Sequence, residues 1–146
     1  MKLVSTRIVT DHVPALAGFY EQVTGIKSVG CSEHYVEIVT STGVLAICSK
    51  DSVTMFNAAA AKPRANRTVI IEFEVMDVDH ERARLANVVK NFVMEPTEQP
   101  WGTRSMLFRD PDGNLINVYG IVDPDAASCE NCDPPINQRG MATQWG

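Results

Sequence analysis

Asp110-Pro111-Asp112-Gly113-Asn114-Leu115-Ile116 is the stretch on which the fold turns. Proline presets φ, glycine tolerates a positive φ, and Asp and Asn side chains bond their own backbone. The run Asp110 to Asn114 therefore predicts a tight turn between two strands. Those strands are Arg104–Arg109 before it and Leu115–Gly120 after it. Working outward, Phe92–Glu95 is another strand-like run, and His80 to Lys90 reads as a helix with Leu85, Ala86 and Val89 on one face. Asp77 and Asp79 offer N-caps, and the acids come early with Lys90 late, as a helix dipole prefers. Val69 to Val75 (V-I-I-E-F-E-V) opens the series as a strand. The order is β-α-β-β-β.

The same grammar occurs about 65 residues earlier. Ser5 to Thr10 reads as a strand. Asp11-His12-Val13-Pro14 leads into a helix, because Pro suits a first helical turn whose N–H groups lack partners anyway. Leu16, Phe19, Tyr20 and Val23 recur at helical spacing, and Gly25 ends the helix. Strands are expected at Lys27–Cys31, Tyr35–Thr40 and Val44–Lys50, with turns at Ser32-Glu33 and Ser41-Thr42-Gly43. The chain thus divides into module one at about 1–50, a linker at 51–67, and module two at 68–120. A short helix around Ala58–Ala61 is expected in the linker. A Pro-, Asp- and Asn-rich tail at 121–146 has no apolar period.

Composition narrows the class. The 146 residues are 45% hydrophobic, enough for a core, and carry a net charge of −5. No basic stripe points to nucleic acid as a partner. No run of about 18 apolar residues points to a membrane. The N-terminus enters a strand pattern without a signal-peptide-like leader, so a cytoplasmic location is expected. Of four cysteines, Cys31 and Cys48 lie in strand-like runs and Cys129 and Cys132 form a C-x-x-C in the tail. The pairs lie about 80 residues apart, so reduced thiols are expected rather than a zinc site.

Specific residues add a resemblance. Phe19-Tyr20-Glu21-Gln22-Val23-Thr24-Gly25 resembles the helix ending of the glyoxalase/bleomycin-resistance/dioxygenase superfamily, the vicinal oxygen chelate proteins. Glu95-Pro96, Trp101-Gly102 with Arg104, and Phe108 through Ile116 resemble its second-module signature. The likeness spans residues 3 to 120 and implies an α+β fold: two βαβββ modules pairing into a curled mixed sheet around a cleft. It also implies a small-molecule ligand and a homodimer. The superfamily holds metal-dependent isomerases and dioxygenases, and also metal-free proteins that sequester antibiotics.

In metal-using relatives a His sits on each module's first strand and a Glu on its last. The corresponding residues here are Ser5, Ala46, Ile70 and Asn117, which are poor metal ligands or none. No metal or other cofactor is therefore expected. His12, His34 and His80 read as solvated or capping residues. Strand alternation turns Ile71, Phe73 and Val75 toward the helices and Ile70, Glu72 and Glu74 toward the cleft. Arg7 occupies the matching place in module one. Arg7 and Glu72 are expected to contact ligand or each other. Tyr35, Trp101, Asn117 and Tyr119 complete the ligand-binding candidates, while Arg104 is expected either there or on the loop backbone. Three functions stay open. One is metal-free binding of an antibiotic-like or aromatic ligand. Another is a lyase, isomerase or dioxygenase with non-standard metal ligands. The third is a metal-free enzyme with Glu72 as general base.

Overall fold

The structure is a computed structural model that describes residues 1–55 and 60–125, with Cys31 described by its backbone alone. Cys129, Cys132 and most of the tail lie outside the described residues, as do Ala58 and Ala59 of the expected linker helix. Module one comprises β1 (Ser5–Thr10), α1 (Val13–Thr24), β2 (Val29–Ser32), β3 (Tyr35–Val39) and β4 (Val44–Ser49). Helix α2 (Lys50–Thr54) follows. Module two comprises β5 (Ile70–Glu74), α3 (Val78–Arg84), β6 (Phe92–Glu98), β7 (Thr103–Arg109) and β8 (Leu115–Ile121). Each module folds into its own four-stranded mixed sheet, ordered β1-β4-β3-β2 and β5-β8-β7-β6. In each, the first strand runs parallel to the last and the others are antiparallel. The repeat read from the sequence is thus a repeat of topology, and the fold is the expected α+β type.

Several local expectations are corrected. Module two's helix begins at Val78, because Asp77 rather than Asp79 caps it, its carboxylate accepting from the His80 N–H. The helix ends at Arg84 and continues only as a 3-10 turn, Leu85–Asn87, not as an α-helix to Lys90. Strand β6 runs past Glu95 to Glu98 although it contains Pro96, which an edge strand with shifted register tolerates. Strand β2 starts at Val29 rather than Lys27, and its hairpin turns at Glu33-His34. The helix after β4 sits at Lys50–Thr54, where the Ser49 hydroxyl caps it by accepting from the Ser52 N–H. In α1, His12 is the N-cap, its Nδ1 accepting from the Ala15 N–H at 3.1 Å.

One core serves both modules. Leu16, Tyr20 and Val23 of α1 join Ile38 and Ile47 of sheet one and Phe108, Ile116 and Val118 of sheet two. Phe19 meets Phe108 edge-on, and Tyr20 tilts against Phe73. The Tyr20 hydroxyl donates to Asp110 Oδ2 at 2.8 Å, so the two stretches that carry the resemblance touch one another. Asp110 also accepts from the Asp112 and Asn114 N–H groups and from Asn114 Nδ2, which closes the turn around a single carboxylate. Arg84, at the end of α3, donates to the carbonyls of Gln22 and Val23 and so covers the C-terminus of α1. The linker seats on the same turn: Asn66 Nδ2 donates to Asn114 Oδ1, and Arg64 Nε lies 3.4 Å from Asp112 Oδ1.

Candidate functional site

Helices cover one face of each sheet and leave the other open. On sheet one the register aligns Arg7 of β1 with Ala46 of β4 and Glu37 of β3, all on the open face. Tyr35 lies two residues before Glu37 on that face. Its hydroxyl donates to Glu37 Oε1 at 2.5 Å, and the Arg7 guanidinium lies over its ring at 5.2 Å from the centroid. The hydrogen bond to Glu37, more than partial burial, holds the Tyr35 proton more tightly than usual, and Arg7 pulls the other way. Cys48, also on this face, is fully buried, and burial pushes its thiol up while Arg7 opposes.

On sheet two, Glu72 aligns with Asn117 and Glu74 with Tyr119. Asn117 Nδ2 donates to Glu72 Oε1 at 2.9 Å, and the Tyr119 hydroxyl donates to Glu74 at 3.3 Å. Of the two expectations for Arg7 and Glu72, pairing with each other is not seen: Arg7 engages Tyr35, and Glu72 engages Asn117. Glu37 was missed. Its alternation with Tyr35 was legible, but its level with Arg7 depends on a register that sequence does not state.

Two candidates stand apart. Trp101 is 53% exposed in the loop between β6 and β7. That loop meets the far end of β8, where Val122 and Asp123 donate to the Gly102 carbonyl. Arg104 points to the helix side, making a two-pronged ion pair with Asp79 at 2.7 and 2.9 Å, rather than contacting the loop backbone. This pair holds the Asp79 carboxyl below the usual range.

A cavity of about 250 Å³ opens where the linker passes along β1. Arg7, Val9, Lys62, Asn66 and Ile71 are among its walls. It reaches Asn114, in the turn just before β8 and at the end opposite the Trp101 loop, so the length of β8 separates the two.

Metal-ligand chemistry is poorly provided for. Ser5 and Ala46 lie near Arg7, and Ile70 and Asn117 near Glu72, with the alternation that turns them to the open faces. Among the described residues, no three His, Cys, Asp or Glu side chains gather as a metal set would. The described residues at these positions do not fit the metal centre that the resemblance implies for metal-using relatives.

Comparison with known proteins agrees with the architecture. The family model described as Glyoxalase/Bleomycin resistance protein/Dioxygenase superfamily matches residues 2–118. No curated protein matches. A glyoxalase/bleomycin resistance protein/dioxygenase family enzyme from Burkholderia phytofirmans PsJN superposes with a TM-score of 0.74 at 16% identity, over 83% of this chain and 99% of that one. A protein of the same description from Nocardioides gives 0.70 at 20% identity, over 84% and 85%. Lactoylglutathione lyase from Agrobacterium tumefaciens gives 0.61 at 23%, over 82% and 92%. At these identities the likeness is one of fold.

Proposed function

The chain belongs to the glyoxalase/bleomycin resistance protein/dioxygenase superfamily, and from that premise we propose that it binds a small organic ligand on its open sheet faces without a metal ion. One observation carries the reading. The face around Ser5, Ala46, Ile70 and Asn117, the positions that the resemblance matches to metal ligands, keeps a cation over an aromatic ring and carboxylates held by Asn117 and Tyr119. Arg7 with Tyr35 suits a flat or anionic group, and Glu72 with Glu74 suits a donor-rich one. An antibiotic-like molecule or an aromatic metabolite offers both. A cytoplasmic homodimer belongs to the same proposal. Ile70, 48% exposed on the open face of edge strand β5, is apolar surface that a second copy would cover. As a general base Glu72 would need burial, and in the single chain it is exposed and held by Asn117.

Calorimetric titration with nickel, zinc, manganese and ferrous iron is the first test. No stoichiometric micromolar binding is expected, and binding at one site would overturn the metal-free reading. A thermal-shift screen of antibiotics and aromatic acids then seeks a ligand. Its stabilisation should disappear in Arg7→Gln or Glu72→Gln. A ligand bound equally by both variants would remove the open faces from the site. Trp101→Ala tests whether the site reaches the far end of sheet two.

A further inference from the structure

The cavity between β1 and the linker has a charge pattern that the open faces do not explain. Three cationic residues line it, Arg7, Lys62 and Arg64, and among the described residues no acidic one does, in a chain whose net charge is −5. Arg64 is already answered by the buried Asp112. Among the described residues, Arg7 has an aromatic ring and no carboxylate within ion-pairing distance, and Lys62 forms no ion pair.

The wall carrying these cations is fixed in place. Arg64 adopts φ 59°, the left-handed region that a non-glycine residue keeps only where its surroundings hold it. The Arg64 carbonyl accepts from Arg67 Nη1, and Asn66 ties the residues that follow to one another and to sheet two. Its Oδ1 accepts from the Thr68 and Val69 N–H groups, and its Nδ2 donates to Val69 O and Asn114 Oδ1. Lys62 lies two residues before Arg64 on a backbone held to the turn of sheet two, so a ligand would have to order its side chain rather than the segment that carries it. Val9, Val69 and Ile71 supply an apolar wall. A volume of about 250 Å³ holds roughly eight waters. That suits a small organic acid better than a drug-sized molecule.

We infer that this cavity is a binding site for a small organic anion, a carboxylate or phosphate on a short apolar body, with Lys62 as its charge partner and Arg7, whose guanidinium lies over Tyr35, at its border with the open face. The site deepens the proposed function, since it shares Arg7 with the open face of sheet one. The probes are benzoate and phenyl phosphate, titrated calorimetrically at low ionic strength, with benzyl alcohol as the neutral control. One-to-one binding of at least one anion is expected, weakening as salt rises. The arm that binds more tightly identifies carboxylate or phosphate as the head group. Lys62→Gln should weaken it about tenfold or more at unchanged melting temperature. Lys90→Gln, an equal charge change in module two beyond its 3-10 turn, should leave it unaltered. Equal binding of benzyl alcohol, or an affinity untouched by Lys62→Gln, overturns the site. If neither anion binds while an open-face ligand found by thermal shift still does, the cavity proposal falls and the open-face reading stands.

Discussion

Asp110 is a polar residue whose loss the fold should feel sharply. Its carboxylate receives a side-chain hydroxyl, two backbone N–H groups and an amide, all of them buried. In Tyr20→Phe the carboxylate keeps three donors, so a cost of about 1 kcal/mol is expected. Asp110→Ala strands four donors at once, and about 3 kcal/mol or more is expected. Urea denaturation of the two variants measures the difference, and equal midpoints would refute it. Tyr20 itself is held protonated far above its ordinary range, by burial first and by Asp110 second, so its hydroxyl stays a donor at every accessible pH. The same scale shows how far residues can be read without a structure. Glu72 follows from alternation, Arg7 from its matching place in module one, and Asn117 from the resemblance. Their partners do not, because pairing across strands depends on register, and a shift of one residue reverses every face.

Helix α1 shows how an element is fixed at both ends by side chains rather than by its own composition. His12 caps the start, Gly25 at φ 70° turns the end, and Arg84 covers the last carbonyls from the other module. Arg84→Met should cost about 1–2 kcal/mol, read as a lower denaturation midpoint. An unchanged midpoint would mean that water replaces Arg84 fully. Near the same end, Glu21 accepts from the Ser28 hydroxyl, from Lys27 and from the Ser28 N–H, which lower its carboxyl from the usual 4.5 to about 2. A depressed carboxylate stabilises the folded chain above its unfolded pKa, and that contribution is lost as pH falls through the folded value. Glu21→Gln should therefore flatten the loss of stability between pH 4.5 and about 2, and an unchanged acid slope would count against it. Asp79 and Glu95, lowered by Arg104 and Arg82, add to the wild-type slope in the acid range. Elements were legible where periodicity and turn chemistry agreed. The end of module two's helix was not, since Leu85, Ala86 and Val89 keep an apolar face whether the chain continues as α-helix or tightens to 3-10. Helix α2 went unread because its signal is one serine cap on five residues.

At the scale of the whole molecule, the two sheets share no ladder of hydrogen bonds, and a common core joins them. Phe108 touches Phe19 of one module and Phe92 of the other. Phe108→Ala should cost about 3–5 kcal/mol and still give one unfolding transition by far-UV circular dichroism, whereas two separated transitions would mean that the modules fold independently. The doubled topology was visible in the sequence because each module spells it separately. The shared core was not, since nothing in Phe19 or Tyr20 announces that their ring partners lie in the other half of the chain. The contact between Tyr20 and Asp110 also separates recognition from use. The residues by which the chain is identified hold its halves together, while Arg7, Tyr35, Glu37 and Lys62 stand outside that signature. Changes on the strand faces and linker would leave that signature untouched, so the signature by itself says nothing about what those surfaces do.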